Sequence, residues 1–217
     1  LFRSGTGKTH VALALARYLT GQNKNGLKND QVQIVQFHPS YGYEEFVEGL
    51  RPKTNSHGQI EFSVVAGVIR NLVAKIESDG LPRVLVIDEL NRANIPRVFG
   101  ELMLLLEYRE MSISLAHTRE FKLPSNLYII GTLNSSDKSI QSMDLALRRR
   151  FDFFEISPSE AILRKFYQSV ENQNYLGEVL FDGFRNLNLD LLNLLSDRHL
   201  LIGHTYFMSK ILNRQKL

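Results

Sequence analysis

The sequence predicts an α/β protein in which strands of a parallel sheet alternate with helices, followed by an all-helical segment. Three observations carry that prediction. Residues 32–37 alternate as a strand does, and the apolar runs at 83–87 and 127–133 have the length and character of buried parallel strands. Helical periodicity fills stretches between them. From Ser159 onward the pattern is helical only, with LDLLNLL at 189–195 as its strongest part.

In chain order, HVALALARYLTG reads as a helix, because Val11, Leu15 and Leu19 recur at four-residue spacing with Ala12 and Ala16 alongside, and Gly21 stops it. Residues 22–30 are a polar loop, and Val32–Phe37 is a strand. A short helix is expected at 43–49, a loop at 53–59 and a helix at 64–77. Pro82 resets the chain before the Arg83–Ile87 strand. Pro96–Glu107 reads as one helix with proline in its first turn. ISL and FKL within 112–123 suggest a hairpin around AHTRE, Leu127–Leu133 is a strand, 141–149 a helix and Phe151–Ile156 a further strand.

Composition narrows the chemistry. A length of 217 residues, 43% hydrophobic and 23% charged, suits a globular chain that buries its core without staples. The absence of cysteine excludes disulfides, thiolate metal sites and cysteine nucleophiles; a reducing compartment is permitted, and a cytoplasmic location is the expectation. The net charge of +3 is too small to signal nucleic-acid binding. No apolar run is long enough for a membrane helix. His10, His38, His57, His117, His199 and His204 show no metal-ligand spacing. Tyr41, Tyr43 and Phe46 are either core cover or a partner surface.

The chemistry-bearing signals begin with SGTGKTH at 4–10. Gly5, Thr6, Gly7, Lys8 and Thr9 fit the second half of a phosphate-binding loop. Glycines let the backbone approach phosphates and present N–H groups, and the helix that starts there adds its positive end. Lys8 would reach the β- and γ-phosphates and the Thr9 hydroxyl would ligate Mg²⁺. The first glycine of the full pattern is replaced by Phe2, with Arg3 and Ser4 following, so the same residues also read as a glycine turn before a helix. VLVIDEL at 84–90 is an apolar strand ending in two carboxylates: Asp88 would hold hydrated Mg²⁺ and Glu89 would act as the base on the attacking water, the alternative being an acid pair that caps a helix. Asn134 in YIIGTLNSSD would orient that water, or simply end its strand. LALRRRFD at 145–152 offers arginines that stabilise phosphoryl charge from a neighbouring subunit, or a solvated basic helix end; spacing does not say which arginine is the finger.

FHPSYGYEEFVEGLRP, IDELNRANIPRVFGELMLLLE, YIIGTLNSSDKS, ALRRRFDF and IGHTYF, in this order, resemble the McrB-like branch of AAA+ NTPases, which groups with the dynein-related AAA proteins. The resemblance covers about 36–207 and the partial phosphate loop, with Lys138 where arginine is usual. It implies a three-layer αβα core over 1–158 and a partial helical lid over 159–217. It implies binding and hydrolysis of ATP or GTP with Mg²⁺, ATP being the commoner nucleotide of the superfamily and GTP that of the restriction motor. Arg148 and Arg149 would face the neighbour's nucleotide in a homo-oligomeric ring, typically a hexamer, and Gly203 and His204 would lie near the base and ribose. A nuclease subunit is the implied partner, with DNA met only indirectly and no membrane. A remodelling ATPase of MoxR or dynein-related type, acting on a protein client, and a nucleotide-binding remnant without turnover are the alternatives. The strand that precedes such a loop is missing and the lid ends early, so the chain reads as a fragment; the expectation is that these 217 residues alone fold poorly and bind nucleotide weakly, which a cooperative melt with micromolar affinity would overturn.

Overall fold

The computed structural model describes residues 5–21, 30–134, 145–168 and 177–208. Phe2, Arg3 and Ser4 lie outside the described residues, as do Lys138 and the first part of the predicted helix at 141–149. Two compact units are present, one of Thr9–Leu133 with Met143–Asp152, the other of Leu1–Lys8, Asn134–Ser142 and Phe153–Leu217.

The first unit is built on a parallel sheet of β1 (Val32–Gln36), β4 (Arg83–Asp88) and β5 (Leu127–Gly131), ordered β1-β4-β5 among the described residues. β4 is central, and its side chains divide by the strand's period of two. Leu85 and Ile87 join a core with Phe37, Phe46, Ile69, Leu72, Val98, Phe99, Leu102 and Leu105, which come largely from helices α2 (Tyr43–Phe46), α3 (Val68–Asp79), α4 (Ile95–Phe99) and α5 (Leu102–Glu107). Val84 and Val86 pack on the other face against Ala12 and Ala16 of α1 (Lys8–Leu19). Helices therefore cover both faces of the sheet, the αβα arrangement expected, and the unbroken apolar run of β4 follows from its double burial. In α1 the small alanines face inward, with Leu13 and Leu19 packed beside them, whereas Val11 and Leu15 are each 45% exposed. Tyr41 and Tyr43 are half-buried against the core, and Phe46 is fully buried within it.

Several predicted elements are corrected. The helix expected over 43–49 is the single turn α2, after which the chain enters an antiparallel hairpin of β2 (Glu48–Thr54) and β3 (Ile60–Ala66). Pro52 is tolerated because β2 pairs on one side only. The turn spans 55–59, where the Asn55 carboxamide accepts the backbone N–H groups of His57 and Gln59, and α3 begins only after Gly67. Pro96–Glu107 is two helices rather than one, because Gly100 at φ +50° breaks the run into α4 and α5. The expected hairpin at 112–123 reduces to one bridge, Ile113 to Phe121, since the amides of His117 and Thr118 turn away to the Glu48 carboxylate. Phe151–Ile156 is not a strand; no described strand pairs with it, and Phe154 is 88% exposed. Of the helix predicted at 141–149, the described part is α6 (Leu145–Arg148).

The second unit holds α7 (Glu160–Gln168) and α8 (Gly177–Leu195). Leu163 packs against Leu180, Phe181 and Phe184, and Glu160 pairs with Arg164 within α7 and with Arg185 of α8. The apolar run 189–195, the strongest helical pattern in the sequence, is largely exposed: Leu189 is 50% and Leu194 79% accessible. Short helical turns at Arg198–Leu200 and His204–Phe207 follow.

Candidate functional site

In a parallel sheet the loops at the carboxyl ends of the strands are where ligands bind, and β4 ends there in Asp88 and Glu89. The Asp88 Oδ1 accepts hydrogen bonds from two hydroxyls. One is Thr9, at 2.9 Å, from the first turn of α1; the other is Thr132, just past β5. Thr132 is only 7% exposed and is tied into the neighbouring chain by its own N–H, which donates to the Ile87 carbonyl at 2.8 Å. Its carbonyl in turn accepts the Leu90 N–H at 2.8 Å.

Glu89 sits in the left-handed region, φ 56° and ψ 44°, which a side-chain-bearing residue occupies at a cost of about 1–3 kcal/mol. The flanking bonds hold it there: the Glu89 N–H reaches the Thr132 hydroxyl at 3.4 Å, and Leu90 is anchored as described. The sharp turn separates the two carboxylates, leaving Asp88 on the hydroxyl pair while Glu89 pairs with Arg92 Nε at 3.1 Å. The structure brings together Thr9 and Asp88, both named from sequence, and sets beside the two carboxylates Thr132 and Arg92, which sequence reading did not name. Thr132 carries no motif of its own; its position at the end of the strand beside β4 was the available signal.

Asn134 follows β5 and is half-buried. The three arginines separate in role. Arg150 binds Glu107 at 2.8 Å within the chain, while Arg148 and Arg149 are exposed. Buried Leu147 and half-buried Phe151 fix the short segment by packing into the core.

In the second unit, Gly5 and Gly7 adopt φ +49° and +80°, and Lys8 opens α1. Thr6 between them is 3% exposed, and its hydroxyl is buried with no hydrogen-bond partner. A buried orphan hydroxyl is costly unless a polar ligand meets it, so this loop fits a phosphate group. The oxygen set of Thr9 and Asp88 in the first unit likewise fits a hard divalent cation such as Mg²⁺. His204 is 2% exposed and its Nδ1 accepts the Ser159 N–H at 3.1 Å, at the start of α7. Burial pushes its pKa below the ordinary histidine value, so the ring is held neutral. Its chain neighbours Thr205 and Tyr206 touch the loop.

Comparison with known proteins agrees with this geometry. The family description "AAA domain (dynein-related subfamily)" matches residues 3–151. The chain is 34% identical over 216 residues to the type IV methyl-directed restriction enzyme EcoKMcrB subunit of Escherichia coli (strain K12), covering 94% of this chain and 45% of that one. It is 24% identical over 224 residues to the type II restriction enzyme BsuMI component YdiS of Bacillus subtilis (strain 168), covering 84% of this chain and 64% of that one. It thus spans less than two thirds of either relative. Among the described residues no helix is long and apolar enough to cross a membrane. With the glycines of left-handed φ before α1, the paired carboxylates at the end of β4 and the match to 3–151 in hand, the chain belongs to the dynein-related subfamily of AAA domains.

Proposed function

We propose that this chain binds ATP or GTP with Mg²⁺ and hydrolyses it, driving a ring of identical subunits that serves a restriction nuclease. The observation that carries the reading is Asp88, at the end of the central parallel strand, accepting the hydroxyl of the threonine that follows GTGK. In this reading Gly5, Thr6, Gly7 and Lys8 bind the phosphates through backbone N–H groups and the ammonium. Thr9 and Asp88 hold the cation, which neutralises charge developing on the phosphates when bound. Glu89 takes a proton from the attacking water, and Asn134 orients that water. Arg148 and Arg149, exposed at the end of α6, serve a neighbouring subunit as fingers. Residues 1–158 act as core and 159–217 as lid, with His204 on the base and ribose side of the nucleotide. Restriction service, with a nuclease partner, rests on the names of the two relatives.

The test is turnover of ATP and GTP by wild type and Glu89→Gln. Loss of the base lowers hydrolysis roughly 10²–10⁴-fold while nucleotide still binds. Equal turnover by the two proteins would overturn the assignment of Glu89.

A further inference from the structure

The turn at His204–Phe207 touches the Gly5–Gly7 loop across 200 positions of sequence. Thr205 makes the contact specific. Its N–H donates to the Gly5 carbonyl at 2.9 Å, and its hydroxyl donates to the same oxygen at 2.5 Å. Its Cγ2 lies 3.5 Å from where a side chain on Gly7 would begin. The Tyr206 ring closes over Gly5 so tightly that an added Cβ would stand 2.3 Å from its Cε2.

A trans peptide points its C=O and the following N–H in opposite directions. With the Gly5 oxygen held toward the turn, the Thr6 N–H is directed away from it. Glycine's freedom makes this geometry accessible but also leaves it undetermined, because Gly5 can rotate and present its carbonyl instead. A carbonyl turned toward phosphate repels it; an N–H attracts it. Two donors converging on one oxygen select the orientation with the N–H outward.

We infer that Thr205 is a positioning residue for phosphate binding: by fixing the Gly5–Thr6 peptide, it presents the Thr6 N–H to the phosphates of a nucleoside triphosphate. The inference rests on the nucleotide reading above and adds a residue outside the loop to it. Because the phosphates are common to both nucleotides, the effect is blind to the base.

The experiment titrates the full chain with mant-ATP and mant-GTP, comparing wild type, Thr205→Val, Thr205→Ser and Lys8→Ala, and records nucleotide-free melts alongside. Valine keeps the shape and the backbone N–H but removes the hydroxyl. Thr205→Val is expected to raise Kd about five-fold for whichever probe binds, roughly 1 kcal/mol, and to raise KM with kcat little changed. Thr205→Ser is expected to restore wild-type affinity, and the nucleotide-free melts to coincide. Unchanged affinity in Thr205→Val overturns the inference, as does equal weakening in the serine variant. Should Thr205→Val fail to fold, Thr205→Ala is read in its place by the same criteria. Failure of wild type to bind more tightly than Lys8→Ala instead overturns the nucleotide reading itself.

Discussion

Thr132 does for the paired carboxylates what no motif residue does. One hydroxyl donates to Asp88 and stands as acceptor for the Glu89 N–H, while its backbone stitches both neighbours to β5. Thr132→Val keeps the volume and strips the hydroxyl. Removing a hydrogen bond to a charged group costs about 1.5–3 kcal/mol, so the variant is expected to melt several degrees lower and turn over more slowly; an unchanged melt would show that the hydroxyl is dispensable. Asp88, Glu89 and Thr9 were legible because each sits in a local pattern, an apolar strand ending in acids or a glycine turn opening a helix. Thr132 and Arg92 were not, since their importance arises from strand adjacency and from the backbone turn at Glu89, which a one-dimensional reading does not contain.

At the scale of elements, the buried parallel strands were read well and the hairpin poorly. β4 announces itself because burial on both faces removes polar residues from its run, whereas β1, which keeps Gln33 and Gln36, shows only an alternation. β2 and β3 have only one buried end. Beyond it Ile60 and Phe62 are 71% and 69% exposed, so the helix expected over 64–77 took the end of β3 into its first residues, while the rest of it is α3. What anchors the hairpin is Glu48, whose side chain is wholly shielded and accepts from Thr118, the His117 N–H and Arg70. Burial alone pushes its pKa up, but the Thr118 and His117 bonds and the Arg70 charge outweigh this and hold it below the ordinary 4.5. A carboxylate depressed in the folded state contributes stability that is full above about 4.5 and is lost as pH falls through the lower folded value. Glu48→Gln is therefore expected to destabilise the neutral-pH protein by about 1–3 kcal/mol and to flatten its acid unfolding curve. An acid limb identical to wild type would place the anchoring elsewhere.

For the molecule as a whole, the boundary between units cuts the chain just after Lys8, so the Gly5–Gly7 loop clusters with residues 200 positions away. Contacts of this range leave no periodic trace in a sequence. The helical unit also carries a pH signature. His204, buried and lowered from 6.5, resists protonation in the folded state and accepts it freely when unfolded. Stability of that unit is full above about 6.5 and declines as pH falls toward the lower folded value, and His204→Asn, which keeps an acceptor for Ser159, is expected to remove the decline. Amide-exchange protection of α7 measured between neutral and mildly acidic pH checks it, and a decline that persists in the variant would assign it to other groups. The Gly5–Thr205 contact has a temporal meaning as well. At synthesis rates of about 5–20 residues per second, roughly 10–40 s pass between the two partners leaving the peptidyl-transferase centre, and throughout that interval the Gly5 carbonyl waits for the two Thr205 donors.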